Sequence, residues 1–200
     1  MKKNVEYRWD DFDPEAYFQH NYSQLRPEDI LMAELTAKAF SQAGSVKTSL
    51  DVGTGSNLFP LLCALPRVEE ITIWEYGAEN IRWIKNQLNQ GLEASSWSKF
   101  WDIISAVYES GMTVDEVGRN LKTAVGERIK QGSVFDLPTR NFDAATMFFC
   151  AESITTDIEE FQQACGMFVR SVKRGGLLVC LLYTSPSPRD QRGSRMPSSA

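Results

Sequence analysis

The chain is short of cysteine, nearly devoid of histidine and free of long apolar runs, and each shortage closes off a class of function. Its four cysteines stand far apart with no Cys-x-x-Cys spacing, so neither a zinc site nor a disulfide framework is expected. The single histidine, His20, has no partner acid or nucleophile apparent in the sequence, which removes the usual base of a hydrolytic triad. No apolar stretch approaches the roughly 20 residues that a membrane span requires. The segment Met1–Glu6 lacks the apolar centre of a secretory signal, so the expected compartment is the cytoplasm. Basic residues number 21 against 26 acidic ones, for a net charge of −5. With no basic run or basic helix face, a nucleic-acid partner is not expected. What remains is ordinary for a globular domain: 200 residues, 42% hydrophobic and 24% charged, enough for one domain with a real core.

The pattern along the chain alternates strands and helices. Pro27 followed by Glu28 and Asp29 marks a helix start, continued through Ile30–Ala43 to Gly44. Thr48–Val52 is a short buried strand, Leu58–Leu65 a helix stopped by Pro66, Ile71–Trp74 a second strand and Ala78–Gln90 a second helix of this run, ending at Gly91. Such alternation predicts a parallel sheet flanked by helices. Leu92–Glu127 interrupts it with Trp97, Phe100, Trp101, Ile104 and Val107 at helical spacing, an inserted helical segment expected over the sheet edge. Arg128–Val134 and Phe142–Phe149 read as strands three and four. Thr156-x-x-Glu159 reads as a capping box, opening a helix that Gly175-Gly176 ends before a fifth strand.

The chemistry is carried by Leu50-Asp51-Val52-Gly53-Thr54-Gly55-Ser56-Asn57, between the first strand and its helix. Glycines there tolerate positive φ and let the backbone pass close to a ligand. The following helix N-terminus offers N–H groups to a carboxylate or phosphate. The dinucleotide pattern GxGxxG would need glycine at 58, which is Leu58, so a nicotinamide oxidoreductase is disfavoured. An acid two residues before the first glycine suits a ligand bearing an ammonium beside its carboxylate, and the methionine part of S-adenosylmethionine has both. The next strand ends in Glu75, the place, about 20 residues on, where this sheet class binds ribose hydroxyls.

These residues resemble the class I S-adenosylmethionine-dependent methyltransferase fold and, more narrowly, the nicotinamide, phenylethanolamine and thioether methyltransferase family. The resemblance runs from Phe12 to Val179. It implies an α/β fold, a Rossmann-like parallel sheet flanked by helices and truncated after the fifth strand, over a domain 1–179. It also implies S-adenosyl-L-methionine as cofactor, S-adenosyl-L-homocysteine as product, no metal, and a small-molecule acceptor methylated on an amine or pyridine-like nitrogen. Oxygen or sulfur methylation, or a non-catalytic cofactor-binding module, stays open as an alternative. A monomer is expected.

Residue by residue, Phe12–Tyr22 resembles the family's N-terminal stretch, so Tyr17 and Tyr22 either fold over the cofactor or pack their helix. Asp51, Gly53, Thr54, Gly55 and Asn57 fall in its glycine loop. Glu75, Tyr76 and Asn80 fall where it holds the ribose and the adenine edge. Ser133 and Val134 fall where it has an acid and an apolar neighbour against adenine; with serine in the acid's place, recognition of the adenine amine passes to Asp136 or lapses. Phe149-Cys150-Ala151-Glu152-Ser153 resembles the stretch whose carboxylate contacts the substrate amine. Glu152 is therefore the candidate catalytic residue, or else an acid favoured by a nearby helix dipole. Phe148 and Phe149 either line the pocket or pack the core.

The end of the chain breaks this logic. Cys180–Asp190 and Ser194–Ala200 match, in one frame, the conceptual translation of a transposase-type sequencing adapter. Residues 180–200 are accordingly expected to be a non-native, disordered tail, set aside from fold reasoning.

Overall fold

A computed structural model describes residues 3–7, 9, 12–92 and 95–182. Five strands form one sheet: β1 (Thr48–Val52), β2 (Glu70–Glu75), β3 (Ile129–Gln131), β4 (Phe142–Phe148) and β5 (Val172–Leu181). Their order is β3-β2-β1-β4-β5, and every neighbouring pair is parallel. Among the described residues seven α-helices accompany them: α1 (Pro14–Asn21), α2 (Pro27–Gln42), α3 (Phe59–Ala64), α4 (Ala78–Gln90), α5 (Trp97–Tyr108), α6 (Val114–Val125) and α7 (Ile158–Ser171).

A parallel sheet must be covered on both faces, and two apolar clusters do this. One joins α1–α6 to Ile71, Ile73, Ala144 and Phe148. The other joins Ala164 and Phe168 of α7 to Leu50, Val52, Ala145 and Met147. Thus α3, which follows β1, and α7, which follows β4, lie on opposite faces although β1 and β4 are neighbours. That divergence opens a crevice beyond the strands' carboxyl ends, where sheets of this kind bind ligands.

Five features differ from the sequence reading. The inserted segment joins the helical layer: α5 packs on α2 and α3, and α6 on α3, α4 and β2, the neighbour of the edge strand β3. Its amphipathic spacing is satisfied inside the helical layer, where Trp97, Phe100, Trp101 and Ile104 are buried and Phe59 stacks on Phe100 with centroids 5.4 Å apart. Strand three keeps only Ile129–Gln131 and gives way to a 3-10 turn at Val134–Asp136, capped by Ser133. The cap of α7 is Asp157, whose carboxylate accepts from the N–H groups of Glu159 and Glu160 at 2.9 and 3.3 Å, and not Thr156. The Asp157 carboxylate, one residue nearer the helix, reaches both donors. The helix then ends at Ser171, not at Gly175-Gly176. β5 runs two residues past Val179, to Leu181; residues 183–200 of the expected tail lie outside the described residues.

Candidate functional site

The loop after β1 is built by its glycines. Gly53 has φ +66° and Gly55 φ +53°, conformations open to glycine and costly elsewhere. Gly53 also has no room for a side chain, since an added Cβ would lie 2.5 Å from the Cys150 sulfur and 2.8 Å from its Cβ. Its N–H still donates to Trp74 O at 2.8 Å, so the turn begins as an extension of the sheet. The helix behind is not the free N-terminus expected from sequence: Asn57 Oδ1 accepts from Phe59 N at 3.2 Å, and α3 is only six residues long.

Under the loop lies Asp51, 3% exposed. The hydroxyls of Thr54 and Thr146 donate to its two oxygens. Burial raises its pKa from 3.8 to about 6; those two hydroxyls oppose the rise, and Glu75 adds to it. At neutral pH it is a buried anion whose surroundings disfavour its charge, a stored preference for a nearby cation.

Glu75 ends β2 and is likewise buried. One oxygen accepts from Gly55 N at 2.9 Å; the other accepts from Gly77 N at 2.8 Å and Asn80 Nδ2 at 3.1 Å. The Asn80 amide thereby turns its Oδ1 away. That oxygen is buried without a hydrogen-bond partner, although Asn80 lies on the wall of a cleft. A buried orphan acceptor is costly unless a donor is supplied to it.

The cleft spans about 960 Å³ when its open mouth is counted. Tyr17, Tyr22, Gly53, Thr54, Gly55, Asn57, Glu75, Tyr76, Asn80, Ser133, Val134 and Phe148 all line it. Three residues singled out in the sequence do not. Asp51 sits beneath the floor, and Glu152 lies half-buried in the turn after β4, behind the wall residues Cys150 and Ser153. Asp136 is exposed and off the wall, and so is not placed to replace the acid missing at Ser133. The sequence reading missed Asn4, Trp9, Trp74, Ser153 and Ile154, which also line the cleft. Trp74 had a signal, since it precedes Glu75 at a strand end. Asn4 and Trp9 had none: Trp9 Nε1 donates to Asn4 Oδ1 at 2.9 Å, and Asn4 N to Glu160 of α7 at 2.9 Å, a crossing of the cleft mouth that spacing does not encode. Phe149, just past β4, has φ +56°, an uncommon value for an aromatic residue.

The chain has known relatives. A sequence model of the NNMT/PNMT/TEMT family matches residues 2–185. The chain belongs to that family. It is 26% identical over 188 residues to phenylethanolamine N-methyltransferase of Sus scrofa, covering 85% of this chain and 65% of the relative. It is 22% identical over 182 residues to nicotinamide N-methyltransferase of Homo sapiens, covering 85% and 69%. The chain thus spans just under two thirds of the length of the porcine enzyme. Among solved structures, the N-methyltransferase NodS of Bradyrhizobium japonicum, crystallised with S-adenosyl-L-homocysteine, superposes with a TM-score of 0.53 at 12% identity, over 84% of this chain and 69% of that one. A methyltransferase of Clostridium acetobutylicum gives a TM-score of 0.54, also at 12% identity, over 84% and 57%. These two confirm the Rossmann-like fold.

Proposed function

We propose that this family member binds S-adenosylmethionine in the cleft and catalyses methyl transfer to the nitrogen of a small-molecule amine or pyridine-like acceptor. The observation that carries the reading is the pairing of Glu75 with the unpartnered Asn80 Oδ1, beside a glycine turn with a buried anion under it. Glu75 and Asn80 offer acceptors to two ribose hydroxyls. Gly53 and Gly55 leave room for the amino-acid end, and Asp51 favours its ammonium from below. Bound there, S-adenosylmethionine would supply a methyl on a sulfonium, an electrophile whose leaving group is already activated by charge.

The chain's own task is therefore alignment and exclusion of water more than acid or base power. Phe12, Tyr17, Phe148 and Phe149 give the acceptor side of the cleft an aromatic lining. An amine attacks only through its neutral lone pair, so a proton must leave the nitrogen. The role proposed for Glu152 is to orient that amine and take its proton, directly or through a water, from behind Cys150 and Ser153. A cytoplasmic monomer goes with this reading, in keeping with four free cysteines; among the described residues no helix is long and apolar enough to cross a membrane.

The test is release of S-adenosylhomocysteine from S-adenosylmethionine with a panel of primary amines and pyridines. Transfer to a nitrogen acceptor is expected, with Glu152→Ala losing transfer while S-adenosylhomocysteine binds within threefold of wild type. Binding without transfer to any nitrogen acceptor would overturn the activity, and equal loss of binding and transfer in Glu152→Ala would overturn that residue's role.

A further inference from the structure

The first turn of α1 is tied to both sides of the cleft floor. Glu75 holds the glycine turn with one oxygen, through Gly55 N at 2.9 Å. With the other it holds the start of α4, through Gly77 N at 2.8 Å and Asn80 Nδ2 at 3.1 Å. From each of these segments the next contact reaches α1. Ser56, beside Gly55 and 2% exposed, donates its hydroxyl to Pro14 O at 2.7 Å. Trp83, one turn beyond Asn80 in α4, donates Nε1 to Glu15 Oε2 at 2.8 Å.

The two ends of α1 are held differently. Its rear is packed: Phe18 lies against Trp83 and Trp97, with centroids 5.4 and 5.3 Å apart, and Tyr22 lies 5.7 Å from Trp97. Its first turn is at the surface, with Glu15 and Ala16 exposed and Pro14 half-buried. An eight-residue helix is too short to sustain itself in water, so the turn takes its place from its partners. Tyr17 ends that turn and lines the cleft, with its ring 5.3 Å from Phe12 and 6.3 Å from Tyr22.

We propose that Ser56 and Glu15 are positioning residues, two latches that fasten the first turn of α1 to the glycine turn and to α4 and so keep Tyr17 on the cleft wall. Releasing a latch lets the turn open for a larger share of the time. If ligand binds the latched form, its apparent affinity falls with that share. The effect on ligand rests on the cofactor reading proposed above; the latching itself does not. Glu15 is exposed and off the cleft wall, so whatever its substitution does to a ligand must pass through α1.

Hydrogen exchange of the ligand-free full chain, read by mass spectrometry, tests the latches. Ser56→Ala and Glu15→Ala should each speed exchange of the α1 amides about fivefold, the scale of one net hydrogen bond, and leave β1 and β4 unchanged. Glu15→Gln keeps an acceptor for the indole and should stay within twofold of wild type. Calorimetry with S-adenosylhomocysteine tests the consequence. Combining Ser56→Ala with Glu15→Ala should weaken binding at least fivefold, and Tyr17→Ala should then cost less than half the fold-loss it causes in wild type. Unchanged α1 exchange, a rise shared by the sheet, a Glu15→Gln variant that behaves as Glu15→Ala, a smaller loss of binding, or an undiminished cost of Tyr17→Ala overturns the proposal. Failure of S-adenosylhomocysteine to bind wild type would sink the cofactor reading, and the exchange rates would still decide the latches.

Discussion

Replacing Asp51 by asparagine should make the ligand-free protein more stable and the liganded one less so. The carboxyl is buried and ionises at about 6, not at 3.8. Below pH 3.8 both folded and unfolded chains carry the proton, and the site costs nothing. Between 3.8 and about 6 the unfolded chain releases its proton first, so the fold loses stability as pH rises. Above about 6 the loss is complete, at about 3 kcal/mol from about 1.4 kcal/mol per pH unit. Asparagine is nearly isosteric and never ionises. Its Oδ1 can accept from Thr54, its amide can donate to Thr146 Oγ1, and that hydroxyl can turn to Leu50 O, 3.4 Å away. In a chain this long, about 3 kcal/mol corresponds to roughly 6–12 °C in Tm. Thermal melts of wild type and Asp51→Asn at pH 4 and pH 7.5 read the difference directly. The variant should melt higher at pH 7.5 and within about 2 °C of wild type at pH 4, and S-adenosylhomocysteine should raise the Tm of wild type far more. A variant less stable at pH 7.5, or an advantage equal at both pH values, would refute the reasoning.

Gly53→Ala combines a strained φ with a clash against Cys150; it should cost about 2–4 kcal/mol in denaturant melts, partly recovered by adding Cys150→Gly. Recovery absent in the double variant would mean that the clash is not the cause. Trp97→Ala should destabilise by about 3–5 kcal/mol, because the ring is fully buried against Phe18, Tyr22 and Phe100; a cost under about 1 kcal/mol would show that the inserted helices are an appendage. Asn80→Asp puts a second carboxylate beside Glu75 Oε1, where the amide now donates; it should weaken S-adenosylhomocysteine binding at least tenfold at pH 8, and unchanged binding would contradict the pairing.

Much of the fold was legible because the signals were local. The apolar runs Thr48–Val52 and Phe142–Phe148, the Pro27 start of α2 and the Gly91 end of α4 each state their element in a few residues. The Gly53–Gly55 turn and Glu75 could be read for the same reason, since each sits at a strand end whose position the alternation fixes. What escaped depends on tertiary partners. The amphipathic faces of α5 and α6 announce that they are buried but not against what, so their place among α2, α3 and α4 had to come from packing. The third strand shortened because Ser133 spends its side chain on a turn, a competition between cap and ladder that apolar content does not reveal. Glu152 looked exposed to the cleft by position, yet its turn directs Cys150 and Ser153 there instead. The N-terminal crossing through Asn4 and Trp9 rests on a bond to Glu160 more than 150 residues away, which no window of sequence contains.

The most direct measurement is calorimetric binding of S-adenosylhomocysteine to wild type and to Glu75→Ala at pH 7.5. The account predicts one site per chain with wild type and affinity weakened at least tenfold by the substitution, with the melting temperature of the unliganded variant lowered only modestly. No binding to folded wild type, or equal binding to both proteins, would contradict it.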